Sequence, residues 1–176
     1  MNEAIDLVGS YLIGGLVLLA LTGLILHFNN KAQETTLSQI SQYSIVEVGK
    51  IIEHDFDNLG YGVSSGNKIL SITSNSISFL GDMNSDGNID TVTYTTFQQN
   101  QGTFLRRSLG SQSSSQLYFP IKSLTIEGID SAGNSTSQIS NIKSILFTLV
   151  TSEKTFSDSQ TQVGSAWVRQ FFPPNL

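Results

Sequence analysis

The chain has 176 residues, carries a formal net charge of −5 and is only 13% charged. Its 9 Lys and Arg form no basic stripe, which argues against a nucleic-acid partner, and its polar content is mostly uncharged Ser, Thr, Asn and Gln, as in an exported protein. There is no Cys, which excludes disulfides, thiolate catalysis and cysteine-held zinc.

From Leu7 to Phe28 the sequence carries no Asp, Glu, Lys or Arg. An apolar helix of roughly 20 residues, rising 1.5 Å per residue, spans a bilayer core of about 30 Å. A secretory signal peptide fits less well, because the residues before the run are acidic, the run is too long and no small-residue cleavage site ends it. Lys31 follows the run while Glu3 and Asp6 precede it. Taken alone, this charge placement puts the rest of the chain in the cytoplasm.

Beyond Lys31 the apolar residues Leu37, Ile40, Ile45, Val48, Ile51, Ile52, Phe56 and Leu59 recur at helical steps, with Gln33, Glu34, Glu47, Lys50, Glu53 and Asp57 between them. Gly60 is the expected C-cap. The spacing predicts one rod from about Ala4 to Leu59, roughly 80 Å long, whose second half packs one stripe against a head. About 115 residues remain for that head, enough for one core. The organisation read from the sequence is residues 1–30 as hydrophobic helix, 31–62 as its amphipathic continuation and 63–176 as a β-rich head.

After Gly66 the period becomes two. Ile69, Ile72, Ile77 and Phe79 flank a Ser74-Asn75 turn; Val92, Tyr94 and Thr96 alternate; Phe104–Leu109 follows a Gln-Asn-Gln-Gly turn. Ile121–Ile126, Ile142–Val150 and Trp167–Phe172 complete the strands, with Ser111–Gln116 and Ser131–Ser140 as loops. Short strands separated by turns predict an antiparallel meander. The fold class expected is α+β: a long N-terminal helix packed on an antiparallel sheet.

One segment has metal-ligand spacing. Asp82, Asn84, Asp86, Asn88 and Asp90 alternate, matching positions one, three, five and nine of a calcium loop, with Gly87 at position six, the bend. The bidentate glutamate expected at position twelve is replaced by Thr93. A hairpin turn favours the same residue types. Calcium is the one cofactor the sequence suggests.

His54 stands between Glu53 and Asp55, but adjacent helical residues point about 100° apart and cannot converge on one ion. The other histidine, His27, marks the end of the apolar run. Neither a nucleophile elbow nor a phosphate-binding glycine loop occurs, so no enzyme is expected. Trp167, Tyr118 and Phe119 are read as core aromatics or, alternatively, as a binding platform.

Several segments, in order, resemble the type IV pilin-like proteins, in particular their larger minor pilins and minor pseudopilins. These are Ile5-Asp6-Leu7-Val8, the apolar half-rod Ile13–Ala20, the helix end Ile51–Gly62, the turn and strand Asp82–Tyr94, the strand start Phe104–Arg107 and the closing Trp167–Leu176. Family members are made with a short basic leader that is removed; Met1 stands close to where such a mature chain begins. The resemblance implies a structural subunit of a pilus or secretion filament. It would be held in membrane lipid before assembly and then bundled with other pilin-like subunits through the N-terminal helix, its head exported. It also implies that Asp6, with Glu3 as competitor, pairs with the N-terminal amine of a neighbouring subunit. Gly14 and Gly15, with Gly9 and Gly23, would permit close helix approach. The alternatives are a membrane-anchored surface binding module acting alone, calcium-dependent or not, and an anchor whose head stays in the cytoplasm.

Overall fold

A computed structural model describes residues 2–99, 102–110, 116–151, 153–154 and 162–176, with side chains from Asp6 onward except at 153, 154, 162 and 163. Helix α1 runs unbroken over Asn2–Asp57, 56 residues, or about 84 Å. Nothing in that stretch breaks a helix: there is no proline, and the polar residues Ser10 and Thr22 bond back to the carbonyls of Asp6 and Leu18, both at 2.8 Å. The helix is long and apolar enough to cross a membrane. Asn58 Nδ2 donates to the His54 carbonyl at 2.9 Å, and Gly60, at φ +77°, turns the chain away. The Gly60 N–H then donates to Leu80 O at 2.7 Å, which ties the helix end to the sheet.

The head holds two antiparallel sheets and a hairpin. Strands β1 (Ile69–Thr73), β2 (Ser76–Gly81), β3 (Asp90–Gln99), β4 (Gly102–Leu109) and β5 (Gln116–Ile121) form a five-stranded meander in chain order. Strands β6 (Ser123–Ile129), β7 (Ser144–Val150) and β10 (Ala166–Phe171) form a three-stranded sheet with β7 in the centre. Strands β8 (Glu153–Lys154) and β9 (Gln162–Val163) pair with each other.

The α+β class matches the expectation; the single meander does not. The expected strand Ile121–Ile126 is two strands in two sheets: Ile121 closes β5 and Ser123 opens β6. Its buried residues explain why, since Ile121 and the pair Leu124 and Ile126 differ in parity, and one strand cannot bury both on one face. β5 itself was not expected. Pro120 disguises it, and an edge strand tolerates proline because one side of its ladder has no partner. Of the expected loop Ser111–Gln116, residues 111–115 lie outside the described residues, as do Asn100 and Gln101 of the β3–β4 turn.

The core sits where the helix crosses both sheets. Ile45, Val48, Ile52 and Phe56 from the helix are buried among Ile77, Phe79, Val92 and Leu105 of the larger sheet and Ile126, Ile145, Phe147 and Leu149 of the smaller. The Phe56 ring lies 5.1 Å from Phe79, 5.8 Å from Phe147 and 4.5 Å from Phe171, centre to centre, so one side chain joins all three elements.

Candidate functional site

The helix presents two apolar surfaces, where the sequence suggested one stripe. Ile45, Val48, Ile52 and Phe56 face the head. Ile40 does not: it is 51% exposed, with Tyr43 at 75% and Val46 at 49%. At about 100° per residue these three fall on the side of the rod opposite Ile45 and Ile52. Ile40 fits a step of three before Tyr43 as well as it fits the stripe to Ile45, so spacing alone assigned it to the wrong side.

The apolar half is bare. Leu12, Ile13, Leu16, Leu18, Leu19, Ile25 and Phe28 are all more than half exposed. A Cβ built on Gly9, Gly14, Gly15 or Gly23 meets nothing within 4 Å, so all four leave open backbone on the rod. Asp6 is exposed, and no ion pair among the described residues includes it. Glu3 lies in the first turn of the helix; its side chain is outside the described residues.

The segment Asp82–Asp90 is the β2–β3 connection together with Asp90, the first residue of β3. Asp82 is buried, and its oxygens accept the N–H groups of Asp86 at 3.1 Å and Gly87 at 2.9 Å. Asn84 Oδ1 also accepts from Asp86 N at 3.2 Å, and Asp86 Oδ1 accepts from Asn88 N at 2.8 Å. The Asn88 N–H first, and then Asn84 Nδ2, which donates to Asp86 Oδ2 at 2.9 Å, hold the Asp86 carboxyl below its usual range. Asp90 Oδ2 accepts from Met83 N at 3.3 Å. The side chains of Asp82, Asn84 and Asp86 therefore turn into the loop and satisfy its backbone. Among the described residues no three acidic or histidine groups stand close enough to hold a metal ion.

His54 and Asp55 differ in burial, the histidine 60% exposed and the aspartate 0%, but they do not diverge as expected, since His54 Nδ1 lies 3.6 Å from Asp55 Oδ1. Sequence reading gave Asp55 no role, yet it anchors the helix to the larger sheet. Arg107 Nε donates to Asp55 Oδ2 at 2.5 Å, a second guanidinium nitrogen to Oδ1 at 2.8 Å, and the Tyr94 hydroxyl to Oδ2 at 2.5 Å. Burial and the adjacent carboxylate push the Tyr94 hydroxyl well above the usual phenol range, so it stays a donor. The signal was present: Asp55 falls three residues after Ile52 and seven after Val48, inside the buried stripe, where only a paired carboxylate survives.

The three aromatics considered together do not form a platform. Trp167 lies against Gly49, with Phe147 and Phe171 beside it, and Phe119 packs on the core. Tyr118, one residue from Phe119, points to the other face of the sheet, as the pleat requires. Comparison with protein-family models, with curated proteins and with solved structures finds no match.

Proposed function

We propose that this chain is a structural, non-catalytic subunit of a membrane-derived helical filament, similar to a minor pilin or pseudopilin, held by its N-terminal helix and bundled through it. One observation carries the reading. Residues Leu7–Phe28 already match the thickness of a bilayer core, yet Tyr43 stands about 22 Å further along the rod. Lipid tails do not reach it, and the head covers the opposite side. Ile40, Tyr43 and Val46 together form an apolar patch that calls for another surface, and the helix of a neighbouring subunit is the surface with matching chemistry. The glycines on the membrane half would let such helices approach closely, and Asp6 would find its counter-charge in a neighbour's amine. Membrane lipid is the partner before assembly, and the head would be exported despite the placement of Lys31.

Electron microscopy of material sheared from cells tests this. Ordered filaments containing the chain are expected, with Asp6→Ala impairing assembly while the purified chain melts as the parent does. A chain that stays monomeric both in cells and in detergent at high concentration overturns the proposal. Protease resistance of the head in intact cells would place it in the cytoplasm and also overturn it.

The β2–β3 loop supports a second, separable reading as a calcium-dependent surface module. Asp82 Oδ1 and Asn84 Oδ1 converge on one N–H, that of Asp86, so two ligand oxygens already share a centre. Calcium would have to draw Asp86, Asn88 and Asp90 inward and replace the N–H bonds that Asp86 and Asp90 accept. Calorimetric titration of the full chain in detergent should then show heat that Asp86→Ala abolishes; absence of heat removes this reading.

A further inference from the structure

The outward face of the larger sheet carries an unclaimed aromatic cluster at its β3–β4–β5 end. Phe97 and Phe104 are cross-strand partners with ring centres 5.6 Å apart, and Tyr118 sits edge-on to Phe97 at 5.5 Å. The Arg106 guanidinium lies over Phe97, 5.9 Å from its centre, and is the cross-strand partner of Tyr118. Tyr118 is half exposed and hydrogen-bonded to Gln116 beside it; Pro120 extends the apolar surface. These rings face away from the core that Tyr94, Leu105 and Phe119 fill on the other side of the same strands.

Two observations say what this surface takes. Among the described residues Arg106 Nε is buried without a hydrogen-bond partner, and no ion pair includes Arg106. The buried Nε fixes how the guanidinium lies in the face, and the terminal nitrogens, which are not buried and have no partner among the described residues, are pre-organised by the stacking for a carboxylate. Toward β2 the same face continues with the uncharged hydroxyl side chains of Ser76, Ser78, Thr93 and Thr95, among which Ser78 and Thr93 share a hydrogen bond at 3.0 Å. Rings to stack on, a cation lacking an anion among the described residues and a row of hydroxyls beside it complement a hydroxylated ring polymer bearing carboxylates.

We propose that this face binds an acidic polysaccharide of uronate type. A sugar ring lays its C–H face on Tyr118 and Phe104, where the negative π-face attracts it. Its carboxylate meets Arg106, and neighbouring sugars lie along the row of hydroxyls. The proposal goes beyond filament assembly and does not depend on it.

The test uses the full chain in detergent micelles, titrated calorimetrically with oligogalacturonate, with neutral dextran and polyglutamate as controls. Saturable binding to the oligouronate alone is expected, weakening as salt rises. Tyr118→Ala and Arg106→Gln should each weaken it about tenfold or more, a loss of about 1.4 kcal/mol. Tyr118→Phe should keep it and Arg106→Lys should not, since lysine lacks the planar fork. Thermal melts confirm that each variant is folded. No saturable binding, binding untouched by Tyr118→Ala and Arg106→Gln in folded protein, or equal binding of polyglutamate or dextran overturns the proposal.

Discussion

Asp55 shows how much one buried charge asks of its surroundings. Both of its oxygens are taken, by Arg107 in a two-pronged contact and by the Tyr94 hydroxyl, and its side chain has no access to water. Arg107 in turn gains a higher pKa from that bond and stays charged at any physiological pH. Removing one partner strands the other, so Asp55→Ala should cost about 3–5 kcal/mol and Tyr94→Phe only about 1–2, read by denaturant melts of the full chain in detergent. Equal effects would mean the ion pair is not the anchor. Asp130 makes a gentler case at the surface. Its carboxylate accepts the N–H groups of Ala132 at 2.8 Å and Asn134 at 2.9 Å. These bonds, Asn134 first, hold its pKa below the usual 3.8. A depressed carboxylate stabilises the fold above its unfolded pKa and loses that contribution as pH falls through the folded one. Asp130→Asn keeps an acceptor but cannot titrate, so the acid loss of melting temperature below about pH 4 should be smaller than in the parent. An unchanged acid profile would remove Asp130 from the account.

At the level of elements, the sequence made some boundaries plain and hid others, for physical reasons. The helix was legible because nothing interrupts it before Gly60, whose φ of +77° suits only glycine there. The β1–β2 hairpin was legible because Ile69, Ile77 and Phe79 alternate around a polar turn. The divide between the sheets was not, since it depends on Lys122, whose N–H leaves the first ladder and donates to Val150 O at 2.7 Å. No local pattern announces a long-range partner of that kind. The candidate surface on β3–β5 was half visible: Tyr118 stood out, but its neighbours Phe97 and Phe104 are set by strand register alone. The joint between helix and sheet depends on a close approach that no periodicity reveals. A Cβ on Gly81, at the end of β2, would stand 2.3 Å from the Asn58 carbonyl oxygen just past the helix end. Backbone atoms on both sides must move to admit it. Gly81→Ala should therefore destabilise by about 1–3 kcal/mol, as overpacking does. Gly66→Ala, where a Cβ meets nothing, should cost less, only the strain of φ +94°. Thermal melts of the two variants side by side decide whether the joint is that tight.

For the whole molecule, the division of the rod into a head-facing and an outward-facing surface gives the sharpest separation between folding and assembly. Ile52 is fully buried and Tyr43 is 75% exposed, though they lie on one helix only nine residues apart. A folding defect and an assembly defect can therefore be made independently. Ile52→Ala opens a cavity in the core and should lower stability by about 2–5 kcal/mol. The double variant Ile40→Ser, Tyr43→Ser changes two exposed side chains outside the core and should melt within about 0.5 kcal/mol of the parent, as surface changes do. If a neighbouring helix covers that patch, the double variant should nevertheless fail to enter filaments, while remaining in the membrane fraction because Leu7–Phe28 is untouched. A lone anchored module predicts the same membrane retention and stability but no assembly phenotype, because there is nothing to assemble. Normal filaments from the double variant would separate the patch from the interface and leave the membrane half of the rod as the assembly surface. Loss of filaments together with loss of stability would instead mean that Tyr43 supports the head, contrary to its exposure.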